Sequence, residues 1–191
     1  DSIRGDIVVD ESLWSGPAVN PQWATGDLSK SYGTGSHAFN FEDNARGKAS
    51  VADPAGVFAS RLRAALRDEG ITVAGGRPDP KGRVLLGEHR SATIDEIMRS
   101  CMMRSDNQFA EALLRTVATS GGERGSFESG AKECMALWRH NGAPAEGVRI
   151  VDGSGLSRAN RMTSRFMCHV LGRMSIDPYY ASFFPLAGQE G

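Results

Sequence analysis

The chain has 191 residues, enough for one domain with its own core or for a substantial piece of a larger one. Hydrophobic residues make up 40% and charged residues 24%, and Lys+Arg 22 against Asp+Glu 23 leaves a net charge of −1, so no field draws the chain to nucleic acid or an anionic membrane. The longest apolar runs, such as Ile7-Val8-Val9 and Val84-Leu85-Leu86, are too short to span a bilayer, and no signal peptide opens the sequence.

In chain order, Gly5 to Asp10 reads as a short strand, and the Gly-, Pro-, Asn- and Ser-rich stretch from Trp14 to Gly35 reads as a long irregular loop. Asp53-Pro54 supplies an N-cap and an N1 proline for a helix with Val57, Phe58, Leu62, Ala65 and Leu66 on one face, stopped by Gly70. Strands are expected at Ile71 to Ala74 and Arg83 to Leu86, separated by the turn residues of 75–82. Thr93 and Glu96 form a capping-box pattern for a helix ending near Ser105.

A second helix takes over at about Asn107, with Phe109, Ala110, Leu113, Leu114 and Val117 inward, until Ser120-Gly121-Gly122. A third runs from near Ser126 to Asn141-Gly142 and buries Phe127, Ala131, Met135 and Trp138. Val148 to Val151 reads as a buried strand, followed by the turn Asp152-Gly153-Ser154-Gly155 and a helix from Thr163 through Met174 with Phe166, Val170 and Leu171 inside. Helix outweighs strand and no regular βα alternation occurs, so the expected class is α+β, helices packed on an antiparallel sheet.

The cysteines Cys101, Cys134 and Cys168 lack C-x-x-C spacing and lie among apolar residues of helical period, so buried thiols are expected. The histidines His37, His89, His140 and His169 show neither metal spacing nor an evident acid partner. No metal and no cofactor are expected.

Two segments carry chemistry. Ser105-Asp106-Asn107 falls at a helix-to-helix junction, where a hydroxyl and an amide two residues apart aim into one cleft; the plain alternative is that Ser105 or Asn107 caps the second helix. The other is Asp152 to Thr163, which on local grounds is a glycine turn leading to a helix cap. Taken with Asp53-Pro54, Arg61-Leu62, Gly70 to Gly76, Arg104 to Asn107, Ala110-Glu111 and Leu113-Leu114, the pattern resembles the low-molecular-mass class C penicillin-binding proteins, the D-Ala-D-Ala carboxypeptidase/endopeptidases of serine peptidase family S13. The resemblance runs from about Gly5 to Gly191 and implies a partial penicillin-binding, β-lactamase-like transpeptidase domain over 1–191.

That family uses an S-x-x-K serine acylated with help from its lysine, an S-x-N motif, and a K-T-G strand beside the substrate. The resemblance implies that Ser105 and Asn107 are the S-x-N residues, one relaying a proton and the other holding the substrate amide. Arg158 is a candidate for a free carboxylate on the peptidoglycan stem peptide, with a plain surface arginine as the alternative. β-Lactams are the implied covalent inhibitors of the complete enzyme, and an extracytoplasmic location follows from the same resemblance.

The departures are specific. Three residues before Lys30, Lys48, Lys81 and Lys132 stand Asp27, Ala45, Pro78 and Ser129, so only Ser129 to Lys132 fits S-x-x-K, and it follows the S-x-N instead of preceding it. We read that match as coincidence. No K-T-G or H-T-G occurs, and between Asn44 and Ser50 about five residues stand where many family members insert domains, a trimmed or short insertion site. These residues alone are therefore expected to be inactive.

Two alternatives are weighed against the enzyme. One is a non-catalytic relative that binds cell-wall peptide or serves as a scaffold. The other is an unrelated hydrolase using Ser157, because Gly155 to Ala159 nearly matches the G-x-S-x-G nucleophile elbow.

Overall fold

The computed structural model describes residues 1–76 and 84–188. Most of the turn expected over 75–82, Arg83 and the closing residues 189–191 lie outside that range.

Helix starts follow the capping residues read from the sequence. Helix α1, Pro54–Asp68, begins where the Asp53 carboxylate accepts the Gly56 N–H at 2.8 Å, with proline where no intrahelical donor is needed. Helix α2, Ile94–Arg104, is opened by a reciprocal Thr93–Glu96 box. Helix α3, Asn107–Thr119, is capped by Asp106 and not by Ser105 or Asn107, the caps considered from the sequence, whereas α4, Phe127–His140, and α5, Ser164–Met174, start at Ser126 and Thr163.

Strands are sparse. Among the described residues β1, Ser2–Ile3, pairs parallel with β4, Thr72–Val73, and β2, Ala45–Arg46, pairs antiparallel with β3, Ala49–Ser50. The class is α+β, with the sheet reduced to these two ladders. The 44–50 segment thus closes as a tight hairpin.

Three strand expectations are corrected. Gly5–Asp10 contributes a single bridge, Gly5 to Gly75, because Asp6 and Asp10 accept the N–H of Ile7 and Ser12 and divert the backbone from a ladder. Val148–Val151 contributes one antiparallel bridge, Arg149 to Arg161, and at its end side-chain amides take over: Asn160 accepts the Val151 N–H at 2.8 Å and Asn20 donates to the Val151 carbonyl at 2.6 Å. Val84, Leu85 and Leu86 form no strand and stand 76%, 80% and 92% exposed.

One apolar cluster centres on Met135, Ala143 and Phe166, with Trp138, Val148, Ile150 and Val170 around it. Helix α4 lies close against α3 because Gly130 faces the Leu114 carbonyl, where a Cβ would stand 2.1 Å from the oxygen. That packing runs through Leu114 and Ala118, which rotates Val117 outward, contrary to its expected inward place. Leu171 is also exposed, since α5 meets the cluster through Phe166 and Val170.

The three thiols are free; Cys101 is buried and Cys134 half-buried, but Cys168 is exposed, correcting the expectation for it.

Candidate active site

The site is organised by α3, whose residues 107, 111 and 115 recur every four positions and so share one face. Each carries a polar group that ties a different loop to the helix.

At the N-terminal end, Ser105 closes α2 in the left-handed region, φ 51° and ψ 51°, a place usually given to glycine. Such a conformation in a side-chain-bearing residue costs about 1–2 kcal/mol and is common at functional sites. Asp106 then caps α3 by accepting the Phe109 N–H at 3.0 Å. The middle residue does the capping, so neither Ser105 nor Asn107 is needed for it. Ser105 is exposed, and among the described residues no hydrogen bond engages its hydroxyl. Asn107 Nδ2 donates to the Tyr32 carbonyl at 2.9 Å, which fixes its side chain against the 31–33 turn.

One turn further on, Glu111 is 0% exposed. Its two oxygens accept the Gly153 N–H at 2.9 Å, the Ser154 N–H at 2.9 Å and the Ser154 hydroxyl at 2.5 Å. Burial raises its pKa above the ordinary carboxyl value, while those three bonds draw it back down. Gly153 sits so close to the Ala110 carbonyl that a Cβ would come within 2.3 Å of it.

Asp152 is a second buried carboxylate and folds the turn on itself. It accepts the Gly155 N–H at 3.0 Å, the Ser157 N–H at 2.6 Å, the Trp23 indole N–H at 2.9 Å and the Asn160 amide. Arg158, at the end of this turn, is exposed, and among the described residues no hydrogen bond or ion pair holds it.

One turn beyond Glu111, Arg115 is 2% exposed. It donates to the carbonyls of Ser15, Pro17 and Ser36 and is stacked between the rings of Trp14 and Phe127, 4.7 and 4.9 Å away. Burial lowers its pKa to about 10, opposed by Glu111, so it stays cationic at neutral pH. Arg115 thus ties both ends of the long irregular loop to α3, alongside the Trp23–Asp152 and Asn107–Tyr32 bonds.

Other sequence candidates resolve plainly. The Ser129 hydroxyl is engaged with Ser126 in the α4 capping box, and Lys132 is exposed. Ser157 is 2% exposed, and its hydroxyl donates to the Gln22 carbonyl and accepts the Ala159 N–H, so it is no elbow nucleophile. His37 does have an acid partner, Glu11 at 3.4 Å, which corrects the reading from sequence. Among the described residues no cluster of His, Cys, Asp or Glu is arranged to hold a metal. A cavity of about 650 Å³ bounded by Phe127, Met135, Ile150 and Arg149 contains none of Ser105, Asn107 and Arg158.

Glu111, Asp152 and Arg115 were not singled out from sequence as site residues. For Glu111 and Arg115 the available signal was their spacing, an acid and a base four and eight residues after Asn107 on one face of the helix.

Comparison with known proteins follows the same lines. Residues 42–191 match the model of the D-Ala-D-Ala carboxypeptidase 3 (S13) family. Carboxypeptidase DacB of Mycolicibacterium smegmatis is 30% identical over 97% of this chain and 42% of its own length. D-alanyl-D-alanine carboxypeptidase DacB of Haemophilus influenzae is 31% identical over 59% of this chain and 24% of its own. The chain thus spans less than half the length of the curated relatives it matches.

The crystal structure of penicillin binding protein 4 from Haemophilus influenzae superposes with a TM-score of 0.86 at 21% identity, over 100% of this chain and 58% of that one, a likeness of fold. A structure of the Haemophilus protein complexed with a β-lactam matches 74% of this chain and 34% of its own, at 28% identity and a TM-score of 0.65. The match over residues 42–191 and the shared fold place the chain in the D-Ala-D-Ala carboxypeptidase 3 (S13) family.

Proposed function

We propose that this chain forms the S-x-N side of the active-site cleft of a serine-type D-Ala-D-Ala carboxypeptidase/endopeptidase, acting on peptidoglycan stem peptides through an acyl-enzyme. The observation that carries this is the Ser105–Asn107 junction. A strained, exposed serine and an anchored asparagine stand together, and Asp106 between them takes over helix capping. Ser105 relays a proton to the departing D-Ala, Asn107 orients the substrate amide, and exposed Arg158 receives a stem-peptide carboxylate. Relatives named as D-alanyl-D-alanine carboxypeptidases support the substrate class. A neighbour complexed with a β-lactam supports the same cleft as the target of such inhibitors.

The acylated serine must come from an S-x-x-K that precedes the S-x-N, and none stands in these 191 residues. Work on peptidoglycan calls for an extracytoplasmic location. The hairpin at 44–50 is read as a short connection where other members insert domains.

Fluorescent penicillin tests the reading. The 191 residues by themselves should stay unlabelled, whereas a product that also carries S-x-x-K and K-T-G should be labelled. In that product Ser105→Ala should slow deacylation or acylation by about 100-fold or more, the usual weight of a proton-transfer group. Labelling of the 191 residues alone, or full-rate turnover of Ser105→Ala, contradicts it.

A further inference from the structure

We propose that Glu111 is a positioning residue that locks the Ser105–Asn107 junction and the 152–158 turn into one unit, so that Asn107 and Arg158 engage a single peptide at a set separation. The inference rests on the substrate reading above.

The connection is a circuit that runs through short hydrogen bonds and is closed by the stretch of loop between Trp23 and Tyr32. Asn107 and Glu111 share a face of α3, one turn apart. From Glu111 the circuit passes to Gly153 and Ser154, and from the same turn Asp152 reaches the Trp23 indole. Trp23 belongs to the loop whose Tyr32 carbonyl receives the Asn107 amide, which returns the circuit to its start. Gly153 against the Ala110 carbonyl leaves no room for a sliding layer between turn and helix.

Packing alone does not call for a carboxylate at 111. An apolar side chain would fill the space but leave the Gly153 and Ser154 N–H groups and the Ser154 hydroxyl without this acceptor. What the carboxylate supplies is direction: three acceptor bonds aimed at two successive backbone N–H groups and one hydroxyl. With 0% exposure Glu111 cannot touch substrate, so its effect passes through the two residues it aligns.

The test uses the chain with Glu111→Gln, which keeps the volume but sets an NH2 against one of the N–H donors. Two readouts are taken. In amide hydrogen exchange by NMR, Gly153 and Ser154 should exchange about tenfold faster, the equivalent of one lost buried hydrogen bond. Ser105 and Asp106 should speed up with them while Val170 in α5 does not. Acceleration confined to Gly153 and Ser154 overturns the inference.

The second readout is binding of two N-acetylated D-Ala-D-Ala tripeptides that differ only in a free or amidated side-chain carboxylate. The parent chain should prefer the carboxylate about tenfold, and Glu111→Gln should reduce that preference to about twofold with affinity for the amidated peptide kept. A preference that survives overturns the inference. Absence of preference in the parent chain instead removes the assigned role of Arg158, and the exchange readout still decides the coupling. Should Glu111→Gln fail to fold, Ser154→Ala removes one of the three donors and should give the same pattern at about threefold.

Discussion

The two ends of this molecule are held by different forces. Around α3, beside the buried Leu114 and Ala118, a set of polar groups is buried: Glu111, Arg115, Asp152, Asn20 and Asn44, each bonded to backbone. Around α5 the interior is the apolar cluster of Phe166, Met135 and Ala143. Apolar burial is non-directional and tolerates repacking, whereas a buried hydrogen-bonded charge loses heavily when one partner is removed or turned. The half that carries Ser105 and Asn107 is therefore fixed in orientation, and the other half mainly in volume.

Conservative substitutions should expose the contrast. The largest effect is expected for Arg115→Met, which keeps the stem but strands the carbonyls of Ser15, Pro17 and Ser36; about 3 to 5 kcal/mol should be lost in chemical denaturation. Met135→Leu in the apolar cluster should lose less than about 1.5 kcal/mol. If the two cost the same, the distinction between the halves fails.

A smaller effect, opposite in sign, is expected at Ser105→Gly. Glycine relieves the left-handed strain at φ 51° and should stabilise the chain by about 1 kcal/mol while removing the hydroxyl. A loss of stability there would mean that the hydroxyl is held by a partner.

The smallest effects are in pH dependence, and the two signs differ. Burial raises the Glu111 pKa, so the folded chain binds its proton more tightly than the unfolded chain does. That contribution is complete below the ordinary carboxyl value of 4.5 and is lost as pH rises through the raised one. His37 is lowered by burial against the pull of Glu11, so its contribution is present above 6.5 and is lost as pH falls through the lowered value. Denaturation midpoints followed from pH 4 to 8 should lose the acid-side change in His37→Gln, and an unchanged profile would remove His37 as its source.

Much of the helical frame was legible because it is written locally. Asp53-Pro54, Thr93 with Glu96, Ser126 and Thr163 each start a helix where they stand. The strands were less legible, since Val148–Val151 is bonded by Arg161, Asn20 and Asn160, residues far away or across a turn, which no local pattern reveals. Ser105 and Asn107 were visible as a triplet, but their release from capping depended on which of three neighbours supplied the cap. Glu111 and Asp152 were hidden for a general reason. A carboxylate in a sequence reads as surface, and only the fold shows backbone N–H groups gathered around it.

The most direct test of the account is an NMR titration of the chain with an N-acetylated D-Ala-D-Ala tripeptide. Shifts are expected at Ser105, at the Asn107 side-chain amide and at Arg158, all abolished by Asn107→Ala with the rest of the spectrum kept. Shifts confined to residues around the Phe127–Ile150 cavity, or none at saturating peptide, would contradict it.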